Sequence, residues 1–470
     1  FFLAMKLATA ILALSALGVS SAIDASGVFV HLFEWSHADV AAECENWLGP
    51  KGFNGVQISP PNEHIVGDQW WTRYQPVTYN ITSRSGDEDS FKDMITRCEA
   101  VGVTVIADSV VNHMAAGSSG KGIAGTSYTN RAFPDYEQAD FHHTTNLDTN
   151  CAVTDYTNQK DVQECDLVGL PDLDTSSTKV QDRIAQYLNY MYDLGVKGFR
   201  IDAAKHQEAS QMEGYLKQLP SDAFVFGEVI EGANEAVKPE MYEDICYVTE
   251  FDWAQEVAPN VVSEGKMQYL KTIGEQWGLI PSSDAVIFTD NHDTQRGNAP
   301  LTYKDGSTYY LLNLIMLSHT YGYPKVMSSY YFTDTDAGPP SKSADAGSCS
   351  DGSSWVCEHR WAGIANLVNW RKSAVKGENG SPAIDNWAAS SDGNSISFSR
   401  GDSAFIAINR GSNTWSTSAS TGLPAGVYCN VIKSDDPADC DTVTVNDDGT
   451  ASIEVPSMDA VALHVGVAAS

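Results

Sequence analysis

The sequence predicts an α/β chain in which a parallel barrel of strands and helices is interrupted once and followed by an antiparallel β domain. Three observations predict it. Between Val28 and Arg371, short apolar runs alternate with stretches whose apolar residues recur at helical spacing, the rhythm of a parallel sheet buried on both faces. From Met114 to about Gly169 that rhythm gives way to Gly, Ser, Thr and Asn, which predicts an excursion without regular elements of its own. After about residue 378, short alternating stretches lie between Asp-Gly, Gly-Asp and Pro turns, as in an antiparallel β domain.

Taken in order, Val28 to Phe33 reads as a strand, and Ser36 opens a helix that runs to about Leu48. Gly55 to Ser59 is the next strand, stopped by Pro60-Pro61. A helix from Ser90 to Val101 leads into the strand Val103 to Val111, interrupted at Asp108 and Ser109. Beyond the excursion, Val180, Ile184, Tyr187, Leu188, Met191 and Leu194 mark a helix that Gly195 stops. A strand from about Val196 into Asp202 follows, then a helix from Gln207 to Leu219. Strands are expected at Phe224 to Val229, Tyr247 to Glu250 and Ala285 to Thr289. A helix from Tyr309 to Ser318, a strand near Lys325 to Met327 and a helix from Gly363 to Arg371 close the series. The terminal domain should hold strands at Ser395 to Phe398, Ala404 to Asn409, Gly426 to Val431, Thr442 to Val445 and Ala451 to Val455. The resulting division is 23–111 and 170–378 for the barrel, 112–169 for the insertion and 379–470 for the β domain.

A length of 470 residues implies more than one core. The net charge of −32 excludes a phosphate polymer or an anionic membrane surface as partner, and a neutral substrate suits it best. Lys6, the apolar run Leu7 to Val19 and the small residues Ser20-Ser21-Ala22 form a secretory signal pattern with cleavage expected after Ala22, so 1–22 are upstream residues plus signal peptide. No later run reaches the roughly 20 apolar residues of a membrane span. The mature chain is therefore expected to be soluble and secreted. Nine cysteines in an exported chain invite pairing. Sequence neighbours point to Cys151 with Cys165, Cys349 with Cys357 and Cys429 with Cys440, then Cys44 with Cys98 across a longer loop, leaving Cys246 as a buried thiol. Asn80 and Asn379 begin glycosylation sequons.

The chemistry concentrates at strand ends. In the stretch Gly198-Phe-Arg-Ile-Asp-Ala-Ala-Lys-His206, alternation puts Arg200 and Asp202 on one face at the C-terminal end of a strand, as a barrel active site or a buried structural ion pair would have them. Asp108 to His113 reads Asp-Ser-Val-Val-Asn-His; Glu228 ends Val-Phe-Gly-Glu; Asp293 ends Phe-Thr-Asp-Asn-His-Asp. Three carboxylates at strand ends of one barrel converge on its mouth, and two suffice for glycosidic cleavage, one as nucleophile and one as acid then base. The third can steady the oxocarbenium-like transition state. Singly, each is as easily a turn or cap residue. Trp70, Trp71 and Tyr74 follow the second strand, where aromatic faces stack on sugar rings or fill a core.

These segments, with His31-Leu-Phe-Glu-Trp35, Gly49-Pro-Lys-Gly-Phe53, Gln57-Ile-Ser-Pro-Pro-Asn-Glu63 and Trp70-Trp-Thr-Arg-Tyr-Gln-Pro76, resemble the alpha-amylase family over nearly all of residues 27–470. The likeness is to its animal-like secreted members. It implies a (β/α)8 TIM barrel with a small inserted domain after the third strand and a C-terminal antiparallel Greek-key β domain. It also implies Asp202 as nucleophile, Glu228 as acid/base and Asp293 as transition-state stabiliser, with Arg200 keeping Asp202 ionised. Trp70, Trp71, Tyr74, Gln75, His113, Arg200, Lys205, His206 and His292 become substrate-binding residues. Calcium is implied, held by Asn112, Asp172 and the backbone carbonyls of Gln163 and His206, all hard oxygen donors. Chloride in animal-like members sits on an arginine, an asparagine and a second basic residue. Arg200 and Asn291 match the first two, with Asn291 expected on the same strand face as Asp293. Tyr331 stands where the second basic group is expected, and Lys325, six residues back, is about 20 Å away along an extended strand, so activity is not expected to need chloride.

The family's glycine-rich loop is shortened here, Asp293-Thr-Gln-Arg-Gly-Asn running directly into Ala299-Pro300-Leu301, and a vertebrate disulfide near the insertion has no cysteines. The implied activity is endo-acting, retaining hydrolysis of α-1,4-glucosidic bonds in starch, glycogen and maltooligosaccharides by a monomer. The partner is polysaccharide, with neither nucleic acid nor membrane. An exo-acting α-glucosidase, a glucanotransferase and a non-catalytic carbohydrate-binding protein are the alternatives.

Overall fold

A computed structural model describes residues 23–143, 152–345, 347–375 and 383–467. Eight parallel strands close into a barrel in strict chain order: β1 (Phe29–Leu32), β2 (Gly55–Ile58), β3 (Thr104–Ser109), β4 (Gly198–Ile201), β5 (Phe224–Gly227), β6 (Tyr247–Glu250), β7 (Ala285–Ile287) and β8 (Tyr323–Ser328). Register runs Phe29 to Gly55 between β1 and β2, and Phe29 to Lys325 between β1 and β8, which closes the ring. Its lower lumen is plugged by Phe29, Ile106, Phe224, Phe226, Val286 and Tyr323, contributed by five strands. Gly198 belongs to this crowded layer: a Cβ there would lie 2.8 Å from the Ile106 side chain. Two residues further along the strands, alternation points His31, Gln57, Asp108, Arg200 and Lys325 into the lumen. All five are buried. The barrel is thus apolar below and charged toward its C-terminal mouth.

The outer helices follow the apolar spacing. Thr178–Asp193 buries Val180, Ile184, Tyr187, Leu188 and Met191 against the barrel. Ser307–Ser318 is buried along nearly its whole length. His37–Glu43, capped by Ser36, passes through a π turn at Cys44–Leu48 and stops at Gly52, whose φ of 84° favours glycine. One helix, Asp252–Val262, was not expected, because Pro259 in its last turns breaks the pattern by which a helix is read. Antiparallel strands at Asn62–His64 and Pro76–Ser83 flank the aromatic loop, although Pro60-Pro61 promised only an end to regular structure.

The excursion after β3 is not irregular, as its composition implied. It holds a hairpin, Ser119–Lys121 with Ser127–Thr129, and a helix, Gln159–Glu164, that Asn158 caps. Its core is aromatic, with the Tyr128 and Phe133 rings stacked 5.2 Å apart and Phe141 buried beside them. Strands this short leave too few residues for a period to register.

In the C-terminal domain a four-stranded antiparallel sheet, Ile384–Ala389, Ser395–Arg400, Ala404–Asn409 and Asp459–His464, faces the ladder Trp415–Ser420 with Thr450–Val455. A second ladder joins Gly426–Cys429 to Thr442–Val445. Phe405, Ala407, Leu423, Ile453 and Leu463 fill the space between. The strands at Ile384, Trp415 and Asp459 were not expected. The first two are half-exposed and rich in Ser, Asn or Ala, so their alternation is weak. The barrel helix Ala362–Val375 joins the domains: Trp370 Nε1 donates to the carbonyls of Phe405 (3.1 Å) and Leu463 (3.0 Å).

Disulfides link Cys44 to Cys98, Cys349 to Cys357 and Cys429 to Cys440. The expected Cys151–Cys165 bridge, the signal segment and the Asn379 sequon involve residues outside those described, while Asn80 is exposed. Cys246 is a free thiol, half-buried where full burial was expected, and desolvation pushes it up to about 12. Among the described residues no helix is long and apolar enough to cross a membrane.

Candidate active site

Arg200 organises the barrel mouth. Its Nη1 donates to Asp108 Oδ1 (2.6 Å) and Asp202 Oδ1 (2.9 Å), and its Nη2 lies 2.5 Å from Glu228 Oε1. β3, β4 and β5 thereby bring three carboxylates onto one guanidinium. The other Glu228 oxygen accepts the backbone N–H of Ala203 at 2.9 Å. Ala203 has a φ of 49°, a left-handed conformation that costs a residue with a Cβ and aims this N–H back at the carboxylate. Tyr74 OH donates to Asp108 Oδ2 at 2.9 Å, securing the far side of the cluster.

Asp293 enters from beyond β7. Asn291 does not share a strand face with it, because the strand has already ended at Ile287; its Oδ1 instead accepts the N–H groups of Asp293 (2.9 Å) and Thr294 (2.8 Å) and shapes the turn. His292 lies 3.5 Å from Asp293 Oδ2 and stacks on the Tyr74 ring, with centroids 5.0 Å apart.

The electrostatics differ from the expectation that Arg200 simply keeps Asp202 ionised. Burial raises Asp202 well above the ordinary carboxylate range and Glu228, Asp108 and Asp293 add to it, while Arg200 pulls the other way. Asp108 is raised by burial, and Asp293 by burial and then by Glu228. Several carboxylates on one cation cannot all be ionised cheaply, so the cluster retains protons at pH values where free carboxylates have lost theirs. Burial lowers His113 and His206 to about 4 and His292 further, so all three are neutral donors or acceptors.

A cleft of about 530 Å³ opens over these groups. Trp70, Trp71, Tyr74, Gln75, His113, Asp202, Lys205, His206, Glu228 and Asp293, all singled out in the sequence, line it. Arg200 and His292 do not. Arg200 is 1% exposed, lies behind the carboxylates and positions them, which corrects its assignment as a substrate contact. His292 supports Tyr74 from behind, and His113 Nε2 donates to the Tyr74 carbonyl at 2.9 Å. Gln75 Oε1 accepts the Ala116 N–H and ties the aromatic loop to the insertion. Lys205 pairs with Glu235 and lies over Tyr156. Tyr156, Val168, Ile230 and Glu235 complete this wall without having been foreseen. Tyr156 and Val168 come from the insertion and Ile230 and Glu235 from the loop after β5, with no shared motif.

Lys325 also needs correcting. Its side chain is in the lumen, 1% exposed, with the ammonium 4.5 Å from the Phe288 ring and no carboxylate partner among the described residues. Burial, then the field of Arg200, lowers it to about 7. Tyr331 is exposed on the rim, edge-on to Tyr303. Distance along the strand was the wrong measure, since a long side chain at mid-height faces Arg200 across the lumen.

The four calcium candidates lie where the insertion meets β3 and β4. Asn112 Nδ2 donates to Asp172 Oδ1 at 3.1 Å, and the buried Asp172 carboxylate is raised to about 7 by its desolvation. His206 Nδ1 donates to the Val162 carbonyl at 2.8 Å, placing His206 beside Gln163 in the last turn of its helix, where carbonyls have no helical partners. His142 Nδ1 lies 2.6 Å from Asp172 Oδ2, and His143 Nε2 donates to the Glu164 carbonyl at 2.6 Å, so the two pairs are neighbours. One buried carboxylate with amide and peptide oxygens suits a hard cation.

A closed parallel barrel whose mouth gathers these carboxylates under an aromatic-walled cleft is the arrangement of a glycoside hydrolase. Residues 52–320 match the alpha-amylase catalytic domain, and residues 387–466 the alpha-amylase C-terminal all-beta domain. The chain belongs to the alpha-amylase family. It is 44% identical to an alpha-amylase of Streptomyces violaceus over 92% of this chain and 73% of that one. It is 40% identical to the alpha-amylase-related protein of Drosophila melanogaster over 93% of both. Alpha-amylase I of Eisenia fetida superposes with a TM-score of 0.87 at 36% identity, over 95% of this chain and 99% of that one. A mutant of that alpha-amylase I in complex with maltohexaose superposes equally well, with a TM-score of 0.87 at 35% identity over the same shares of the two chains.

Proposed function

We propose that this protein is an endo-acting, retaining α-1,4-glucanase that acts on starch, glycogen and maltooligosaccharides. The observation that carries the reading is the Arg200 fork. Asp202 lies 2.9 Å from one nitrogen of the Arg200 guanidinium and Glu228 2.5 Å from the other, and sharing one guanidinium supports the roughly 5–5.5 Å separation of retaining enzymes rather than the ~6.5–9.5 Å gap that inverting enzymes need for water. Asp202 attacks the anomeric carbon, and Glu228 gives its proton to the leaving oxygen and then draws one from water. Asp293 stabilises positive charge on the ring. The aromatic wall of the cleft and the maltohexaose bound by the Eisenia fetida relative support a glucan as the substrate.

Calcium at Asn112, Asp172, Gln163 and His206 is part of the proposal. The donor set fits a hard dication, whose charge would balance the buried Asp172 and tie the insertion to the barrel. Chloride is proposed as well, now with Lys325 in place of the second basic residue sought at Tyr331. Arg200, Lys325 and Asn291 would hold it, and its charge would offset one cation so that the nearby carboxylates keep protons more readily. Secretion is supported by the three disulfides among the described residues.

Products from amylose test the reading, with the anomer of the first-formed sugar followed by NMR. Mixed short oligosaccharides of α configuration are expected. Glucose alone would indicate the exo-acting glucosidase, larger or cyclic products the transferase, and no products a binding protein.

A further inference from the structure

A second pocket, about 610 Å³, lies on the rim beyond Trp70 and takes no part in the chemistry described above. Tyr303, Lys304, Tyr331, Thr333, Asp334 and Ser353 line it. Arg296 connects it to the cleft: its guanidinium is 4.7 Å from the Trp70 ring and 4.5 Å from the ring of Phe332, which also lines the pocket. Trp70 Nε1 (2.9 Å) and Arg296 Nε (3.1 Å) both donate to the Thr335 carbonyl, so the segment between the two pockets is pinned from the cleft side.

We propose that this rim pocket binds a further stretch of the same α-glucan chain, continuing from Trp70 past Arg296 onto Tyr331. The inference rests on the glucanase reading of the cleft. Phe332 is 8% exposed, with Arg296 and Lys304 both against its ring, and offers no free face. Tyr331 is 39% exposed and held edge-on by Tyr303 at 5.5 Å, which leaves it as the stacking platform. Around it Thr333, Asp334, Ser353 and Lys304 supply acceptors and donors for sugar hydroxyls. An aromatic platform ringed by polar groups suits a neutral polyol.

The test uses the full chain carrying Glu228→Gln, so that the polymer survives, and measures retardation in native gels containing amylose. Adding Tyr331→Ala should weaken apparent amylose affinity roughly three- to tenfold, the usual worth of one aromatic stack, and Tyr331→Phe should restore it. Maltotriose, which the cleft can take up without the rim pocket, should lose no affinity. Equal retardation with and without the Tyr331 ring, or an equal loss on maltotriose, overturns the rim site. A parent protein that amylose does not retard overturns the glucan reading of the cleft itself.

Discussion

Replacing Glu228 by glutamine separates proton donation from shape. In the native site one Glu228 oxygen meets Arg200 Nη2 at 2.5 Å and the other accepts the Ala203 N–H at 2.9 Å. Glutamine has a single acceptor oxygen, so its NH₂ must face one of these two donors, and a charge-assisted contact worth about 1.5–3 kcal/mol is lost. The fold should therefore survive with a modestly lower Tm. Turnover should fall at least ~10²-fold, the lower end of what general acid catalysis contributes. Initial rates on a chromogenic maltopentaoside, alongside thermal melting of the same preparation, give both quantities. A variant that melts like the parent and hydrolyses at a near-native rate would refute Glu228 as the acid.

Three further outcomes are expected. Stripping calcium with excess chelator should lower Tm relative to millimolar Ca²⁺, because an ion bound only by the native state adds stability with its concentration; an unchanged Tm in metal-free protein removes Asn112 and Asp172 from the ligand set. Adding chloride at constant ionic strength to exhaustively dialysed enzyme should raise activity several-fold, and Lys325→Ala should abolish the response; indifference to chloride in the parent refutes the lumen site. Glu358, buried and raised by that burial to about 8, holds a proton in the native chain that the unfolded chain releases near ~4.3. Its contribution is therefore fully present below that unfolded value and is lost as pH rises to about 8, so Glu358→Gln should flatten the fall of Tm between about pH 5 and 8. An unchanged slope would show that Glu358 does not titrate there.

The sequence by itself determined which carboxylates stand at the barrel's strand ends and the order of the elements. Asp202, Glu228 and Asp293 stand at strand ends in motifs local enough to read, and period and turn chemistry are properties of a few consecutive residues. The tertiary structure decided what those groups experience. Asp108 was visible at a strand end, but only closure of β3 against β4 puts it on the Arg200 guanidinium, and only burial among like charges raises Asp202 where a neighbouring arginine alone would have lowered it. Lys325 and Tyr331 show the same division. The family resemblance put Tyr331 where a second basic group was expected, and counting along one strand put Lys325 far from it, whereas barrel closure turns Lys325 into the lumen and leaves Tyr331 on the rim. Electrostatics and burial depend on distances across the barrel, between residues far apart in the chain, and no local pattern encodes them.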